Sequence, residues 1–209
     1  MTIDDILRQA PVIPVLVLDG SLDPAKLAET LVEAGLPVIE VTLRTPMALA
    51  SIRAMARVPG AIIGAGKVLD SRQLSEAADA GARFIVSPGL TPAVADAARS
   101  AAIPLLPGVA TAGEIMRGLD LGLDRFKFFP AESAGGTSAL KALSAPFAAA
   151  RFCPTGGITA ATASAWLALE SVLCVGGSWL VRAGETALGK VRERAREAAR
   201  LTATSRPFG

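Results

Sequence analysis

The sequence contains no histidine and no tyrosine among its 209 residues. Histidine is the commonest general base and metal ligand, so proton transfer in this chain has to use carboxylates, lysines, hydroxyl groups or water. Only two cysteines are present, Cys153 and Cys174, and their spacing matches no metal site. We therefore expect no metal and no cofactor, and we expect both cysteines to be reduced residues of the core.

A strong net charge and a long apolar segment are also missing. The formal net charge is +2, which is too small to indicate a nucleic-acid partner or a membrane surface. No apolar run approaches the roughly 18 residues that a membrane-spanning helix needs. The chain starts Met1-Thr-Ile-Asp4-Asp5, which is acidic where a signal peptide is basic. These absences predict a cytoplasmic protein with neither a nucleic-acid nor a membrane partner.

What the sequence does contain is a regular alternation of short β-rich runs with alanine-rich helical segments. Strands that alternate with helices of about 10–15 residues are typical of a parallel sheet, and eight such units predict a (β/α)₈ TIM barrel with a short N-terminal helix. We expect one domain over residues 1–209. An open doubly wound sheet is the alternative, which the even spacing and the lack of G-x-G-x-x-G after the first strand disfavour.

The predicted element boundaries follow from local composition and from turn residues. The predicted strands are Val12–Leu18, Val38–Leu43, Ala61–Gly64, Phe84–Val86, Pro104–Pro107, Arg125–Phe129, Arg151–Thr155 and Val172–Val175. The predicted helices are Ile3–Gln9, Pro24–Ala34, Pro46–Arg57, Ser71–Ala80, Pro92–Ser100, Ala112–Leu121, Thr137–Leu143, Ala160–Leu169 and Glu185–Leu201. A capping residue before proline predicts helix starts at Asp23-Pro24, Thr45-Pro46 and Thr91-Pro92.

Lys127 lies in the middle of an aromatic, strand-like run, Arg125-Phe-Lys127-Phe-Phe-Pro-Ala-Glu132. Lysine is almost never fully buried without a partner, because its ammonium group is strongly hydrated. Burial disfavours the charged form, and the neutral amine that results can attack a carbonyl carbon. We therefore predict that Lys127 is a Schiff-base nucleophile. The alternative is a structural lysine in an ion pair with Glu40.

In the second predicted strand Glu40, Thr42 and Arg44 alternate with apolar residues, so the three share one face. We expect that face to point into the barrel, where unpaired charges are costly. A buried carboxylate and guanidinium in one cavity with a lysine are typical of an active site, with Glu40 as the proton shuttle and Arg44 as a clamp for a substrate carboxylate. A purely structural Glu40–Arg44 ion pair is the alternative.

Glycine-rich turns end three of the predicted strands. Strands seven and eight end in Thr155-Gly-Gly-Ile158 and Gly176-Gly-Ser-Trp179, at the two places where barrels commonly hold a phosphate with backbone N–H groups and a helix N-terminus. Strand three ends in Gly64-Ala-Gly66-Lys67, whose glycines would let the backbone approach a ligand closely. Lys67 is equally compatible with an inward position over the barrel mouth and an outward position in solvent.

Six segments resemble those of the class I aldolases that act on 2-keto-3-deoxy-6-phosphogluconate (KDPG) and often also on 4-hydroxy-2-oxoglutarate (KHG). In order along the chain they are Glu40-Val-Thr-Leu-Arg44-Thr, Gly64-Ala-Gly66, Ser87-Pro-Gly-Leu, Phe126-Lys127-Phe-Phe-Pro-Ala-Glu132, Phe152-Cys-Pro-Thr155-Gly-Gly-Ile and Gly176-Gly-Ser-Trp179. The resemblance covers roughly residues 5–200.

This resemblance implies metal-free cleavage of KDPG, the phosphorylated keto acid of the Entner–Doudoroff pathway, to pyruvate and glyceraldehyde 3-phosphate by a homotrimer. It also implies that Lys127 forms the Schiff base, that Glu40 is the general acid and base, and that Arg44 binds the pyruvate carboxylate. The positions that it assigns to the substrate phosphate are Thr155, Gly156, Gly157, Gly177 and Ser178.

Lys67 departs from the pattern of these aldolases, which usually have threonine after Gly-Ala-Gly. We assign Lys67 to the binding of the substrate carboxylate as a second cation. It would alternatively favour the neutral form of Lys127 by repulsion, compete with it as a nucleophile, or pair with Glu40 and weaken the base. Two other functions therefore stay open: a related pyruvate-dependent aldolase for another keto acid, and a non-catalytic phosphosugar-binding barrel in which Lys67 disables the site. The absence of histidine disfavours a metal-dependent aldolase.

Overall fold

The computed structural model of the chain describes residues 1–203 and shows eight parallel strands that alternate with helices. The strands are β1 (Val12–Leu16), β2 (Val38–Thr42), β3 (Ile62–Gly66), β4 (Phe84–Ser87), β5 (Leu105–Val109), β6 (Arg125–Phe128), β7 (Arg151–Phe152) and β8 (Val175–Gly177). The helices are α1 (Ile3–Leu7), α2 (Pro24–Glu33), α3 (Ala48–Met55), α4 (Ser71–Asp79), α5 (Pro92–Ser100), α6 (Ala112–Asp120), α7 (Gly136–Ser144), α8 (Ala163–Leu167) and α9 (Leu188–Ala199).

The strands follow one another around a barrel, in the order β7-β6-β5-β4-β3-β2-β1-β8. Neighbouring strands are parallel, and isolated bridges from Phe152 to Val172 and from Thr155 to Gly176 join the two ends of this order. The predicted (β/α)₈ barrel with a leading helix is therefore confirmed. Since all strands point the same way, the loops after their carboxyl ends gather at one end of the barrel, where barrel enzymes place their chemistry.

Two apolar layers fill the structure, and strand parity separates them. The larger lies between the sheet and the helices and includes Ile39 and Val41 of β2 and Phe126 and Phe128 of β6. The smaller lies inside the barrel and contains both cysteines together with Ile6 and Leu7 of α1. Residues on the same parity as Lys127 and Glu40 consequently face the interior, and α1 covers the amino-terminal end.

Helix α1 is tied to β6 by charge. Asp4 accepts hydrogen bonds from Arg8 in its own helix and from Arg125 at the start of β6. Burial alone would raise the pKa of the Asp4 carboxyl, but the hydrogen bonds and the charges of Arg8 and Arg125 outweigh it and hold that pKa below its ordinary value. The strand that carries Lys127 is thus anchored at its amino-terminal end by an ion pair from a distant part of the chain.

Two of the three predicted proline helix starts are confirmed, and one is wrong. Asp23 caps α2 and Thr91 caps α5, each with proline next to it. Helix α3, however, begins at Ala48 after Met47, two residues later than predicted. The reason is that the Thr45 hydroxyl donates a hydrogen bond of 2.7 Å to the Leu18 carbonyl oxygen and does not cap the helix.

The predicted bounds of the last two strands are also wrong. Strand β7 covers only Arg151–Phe152, although the N–H groups of Cys153 and Thr155 still donate to the Phe126 and Phe128 carbonyl oxygens of β6. Pro154 between them has no N–H group to donate. Strand β8 begins at Val175, where its pairing with Val12 of β1 starts, and continues through Gly176 and Gly177. The remaining predicted elements agree with the structure to within a few residues at each end.

Within residues 1–203, no helix combines the length and the apolar character that crossing a membrane requires.

Candidate active site

A cavity of about 260 Å³ opens at the carboxyl ends of the strands. Eight of the nine residues that the sequence assigns to the site line it: Glu40, Arg44, Lys67, Lys127, Thr155, Gly156, Gly157 and Ser178. The ninth, Gly177, does not line it. A side chain at Gly177 would collide with the Trp179 ring, whose nearest atom is 2.2 Å from the ideal Cβ position, so that glycine makes room for tryptophan.

Lys127 and Glu40 face each other across the inside of the barrel. The Lys127 side chain is 8% exposed and the Glu40 side chain 4%, and the distance from Lys127 Nζ to Glu40 Oε1 is 3.2 Å. This is the ion pair that a structural lysine would require, and it also places a carboxylate within proton-transfer distance of an amine. Chemically, the pair can supply a nucleophilic nitrogen together with a general acid and base.

Glycine at position 66 decides where the Glu40 carboxylate lies. An ideal Cβ on Gly66 would be 2.1 Å from Glu40 Oε1, and one on Gly64 would be 2.3 Å from the Phe84 ring. The sequence predicts that these glycines let the backbone approach a ligand, and that interpretation is wrong for Gly64, whose space is filled by Phe84. Gly66 makes room for the side chain of the proposed base.

Sequence reasoning missed Phe129 as a cavity residue, although the parity of β6 would have found it. Phe129 lines the cavity, and its ring centroid is 5.3 Å from Lys127 Nζ, a distance typical of a cation–π contact. It has the same parity as Lys127, two positions away, so the alternation that turns Lys127 inward does the same for Phe129. Thr42, which the parity argument also turns inward, lines the cavity and donates a hydrogen bond of 2.8 Å to the Leu16 carbonyl oxygen.

Arg44 and Lys67 lie at the mouth of the cavity, and both are exposed. The prediction of a buried guanidinium is wrong, because β2 ends at Thr42 and Arg44 lies in the turn beyond it. Lys67 follows the last residue of β3 with a φ of 58°, in the left-handed region that costs a non-glycine residue about 1–2 kcal/mol. Its side chain lines the mouth while reaching solvent, which settles the question that its sequence position left open.

The turn after β7 has the backbone conformation of an anion site. Gly156 has a φ of 109° and Gly157 a φ of 81°, both in the region that favours glycine. Among the backbone hydrogen bonds of turns and loops in residues 1–203, none has the Gly157 N–H or the Ser178 N–H as its donor. The predicted helix N-terminus is not at this turn, since α8 begins only at Ala163. The donors available here are therefore N–H groups and the hydroxyl groups of Thr155 and Ser178.

Cationic residues dominate the charge around the cavity. Arg44, Lys67 and Lys127 line it together with a single carboxylate, Glu40. Such a balance attracts anionic ligands and raises their local concentration. In the part of the chain that the structure describes, no three potential metal-ligating side chains lie together.

Comparison with known proteins places this geometry among characterised enzymes. Residues 3–193 match the family model "KDPG and KHG aldolase". The chain is 50% identical to the KHG/KDPG aldolase of Escherichia coli (strain K12), over 93% of both chains. It superimposes with a TM-score of 0.95 on the KDPG aldolase of Zymomonas mobilis ZM4 with 3-phosphoglycerate, which is 52% identical over 97% of both chains.

A further solved structure bears on the chemistry. The KDPG aldolase of Legionella pneumophila, with pyruvate captured at low pH as a covalent carbinolamine intermediate, is 41% identical and matches with a TM-score of 0.90 over 95% of this chain and 98% of its own.

Proposed function

The chain belongs to the KDPG and KHG aldolase family, and from this premise we propose that it works through a Schiff base on Lys127. It is an aldolase, a carbon–carbon lyase, which cleaves KDPG to pyruvate and glyceraldehyde 3-phosphate and also acts on KHG. The observation that carries the mechanism is the buried Lys127–Glu40 pair, with 3.2 Å between its nitrogen and oxygen.

The proposed reaction uses an amine, a carboxylate and water. Neutral Lys127 adds to the C2 ketone, and loss of water from the carbinolamine gives an iminium ion. Glu40, directly or through a water molecule, removes the proton of the C4 hydroxyl group. The C3–C4 bond then breaks, its electron pair moves toward the iminium to form an enamine, and glyceraldehyde 3-phosphate leaves. The enamine takes up a proton at C3, and hydrolysis releases pyruvate and restores the amine.

The Legionella relative supports this assignment. A covalent carbinolamine with pyruvate is the intermediate that the proposal places on Lys127 in the last step, when hydrolysis releases pyruvate. Lys67 is the other lysine at the cavity, but it lies at the exposed mouth, whereas Lys127 is buried beside a carboxylate. A nucleophile of this kind needs a nearby group that moves protons, and Lys127 has the Glu40 carboxylate at 3.2 Å, so the surroundings favour Lys127.

Two groups of residues on different strands around the cavity are proposed to hold the two ends of the substrate. Arg44 and Lys67, after β2 and β3, would bind the carboxylate of the pyruvate unit. The turns after β7 and β8, at residues 155–157 and 177–178, would bind the phosphate through backbone N–H groups and hydroxyl groups. Around the closed barrel, β1 lies between β2 and β8, so the two groups are on separate strands. Fixing both ends orients the scissile bond, an effect worth up to several kcal/mol.

Borohydride reduction in the presence of pyruvate, followed by peptide mass spectrometry, tests the mechanism. Reduction converts the imine into a stable secondary amine on the lysine that formed it. We expect the adduct on Lys127, and we expect Lys127→Ala to lose both adduct and turnover. An adduct on Lys67 would mean that the nucleophile is at the mouth, and no adduct on either lysine would favour a non-catalytic phosphosugar-binding barrel. Comparing turnover of KDPG with that of stereoisomeric and unphosphorylated keto acids separates this enzyme from related aldolases.

We also propose that the protein is a homotrimer in the cytoplasm. Exposed apolar residues support an interface near the carboxyl-terminal end of the barrel: Met47 and Leu69 follow β2 and β3 and are 44% and 52% exposed. Side chains of this kind are costly to leave in water when they lie together. Sedimentation velocity should give three times the chain mass of 21.3 kDa, and a monomer would contradict the proposal.

A further inference from the structure

Glu132 connects the strand of the proposed nucleophile to the proposed phosphate turn. The Glu132 N–H donates to the Gly156 carbonyl oxygen at 3.0 Å, and the Ala131 N–H donates to the Thr155 carbonyl oxygen at 2.8 Å. These two bonds join the turn after β6 to the turn after β7. The segment 155–158, here called the phosphate turn, is therefore held from one side by the backbone of residues 131–132.

The Glu132 side chain occupies the space beside the same turn. An ideal Cβ on Gly157 would lie 2.7 Å from Glu132 Cγ and 2.8 Å from Glu132 Cβ. Gly157, with its φ of 81°, thus passes directly over the stem of Glu132. A change in the Glu132 side chain would free the turn to collapse into the space that the stem leaves.

The carboxylate of Glu132 is fixed in turn by a buried tryptophan. Trp166 of α8 is 1% exposed, and its Nε1–H group donates to Glu132 Oε1 at 2.9 Å. A buried indole N–H needs an acceptor, and a charged acceptor makes the stronger bond. The Trp166 ring also packs against Phe128 of β6, with 6.1 Å between the ring centroids. Glu132 therefore has a defined position although part of its side chain reaches solvent.

We propose that Glu132 is a positioning residue that fixes the phosphate turn and thereby sets the preference for phosphorylated over unphosphorylated keto acids. The inference rests on the proposed function, because it concerns the phosphate end of that substrate. Glu132 acts through the turn and not as a ligand, since a carboxylate repels a phosphate. Its bond to Trp166 holds the negative charge in one place while its stem supports Gly157.

The test compares Glu132→Ala, Glu132→Gln and Trp166→Phe with the wild type, and Glu29→Ala, which changes an exposed glutamate of α2, is the matched control. For each variant, kcat and KM are measured with KDPG and with KHG, and the Kd of inorganic phosphate is measured by calorimetry. We expect Glu132→Ala to raise the KM for KDPG and the Kd of phosphate about tenfold, with a much smaller change in the KM for KHG and in kcat. Trp166→Phe should act in the same direction.

Glu132→Gln separates positioning from a general loss of structure, because its amide oxygen still accepts from Trp166 and its stem still fills the space. It should retain most of the phosphate affinity. The inference is overturned by equal effects on both substrates, by a glutamine variant as weak as the alanine variant, or by an unchanged phosphate Kd in Glu132→Ala. A wild type that leaves KDPG intact would contradict the proposed function, while the phosphate measurements would still decide the role of Glu132.

Discussion

Replacing Gly66 with alanine should displace the Glu40 carboxylate and slow aldol cleavage. The added methyl group would lie 2.1 Å from Glu40 Oε1 and 2.8 Å from its Cδ, whereas ordinary van der Waals contact begins at 3.4 Å. The oxygen must therefore retreat by about 1.3 Å, the difference between 3.4 and 2.1 Å. Gly66 does not have the left-handed backbone conformation, so alanine is tolerated by the main chain and the collision with Glu40 is the main perturbation.

The size of the effect follows from the geometry of the pair. A retreat of that length is enough to disrupt the 3.2 Å contact between Lys127 Nζ and Glu40 Oε1. A misplacement of about 1 Å in a catalytic group can cost on the order of 10²-fold in rate. We therefore expect kcat/KM for KDPG to fall by about 10²-fold, equivalent to about 2.7 kcal/mol of transition-state stabilisation.

Pyruvate release, measured with a lactate dehydrogenase coupled assay, gives this rate. The control is Gly113→Ala in α6, where an ideal Cβ meets nothing within 4 Å, and its activity should match the wild type. A second control is the Glu40→Ala background, in which the collision is gone. There Gly66→Ala should no longer lower the melting temperature. Gly66→Ala activity within about threefold of the wild type, or an equal loss of stability in both backgrounds, would refute the reasoning.

Three further changes test other parts of the molecule. Ser178→Ala should raise the KM for KDPG more than the KM for KHG, and equal increases would remove Ser178 from the phosphate site. Lys67→Gln should raise KM about two- to fivefold at low salt and less at high salt, because the lysine is exposed and salt screens its charge. An unchanged KM would exclude a role of Lys67 in carboxylate binding. Asp4→Asn should lower the free energy of unfolding by about 1 kcal/mol at pH 7. Because the folded pKa of Asp4 lies below 3.8, the contribution of Asp4 to the free energy of unfolding is full above pH 3.8 and is lost as the pH falls through the folded pKa. Urea unfolding curves of the variant and the wild type should therefore converge in acid. A difference in free energy of unfolding that stays constant with pH would contradict the ion pair.

Strand parity accounts for most of what the sequence could predict. The alternation in β2 turns Glu40 and Thr42 inward and Ile39 and Val41 outward, and the structure agrees for all four. The same rule brings Arg44 to the cavity but does not bury it, because β2 ends two residues earlier and Arg44 lies in the turn at the mouth. The alternation of side chains along a strand is a local property, so it can be predicted from the sequence alone. The residue at which a strand ends depends on the neighbouring strands in the sheet and cannot be predicted in the same way.

The contacts that fix the site are not local, and this is why sequence reasoning misread Gly64 and did not find what Gly66 makes room for. Gly64 and Gly66 look like a ligand-binding turn when read alone, but each makes room for a side chain from another strand, Phe84 or Glu40. Gly157 likewise passes over Glu132, which lies 25 positions earlier. A glycine in the sequence states only that a Cβ is absent, and nothing near it along the chain identifies the group that needs the space. Substitution at each glycine, paired with truncation of the side chain that it accommodates, therefore separates glycines that position catalytic groups from glycines that only turn the chain.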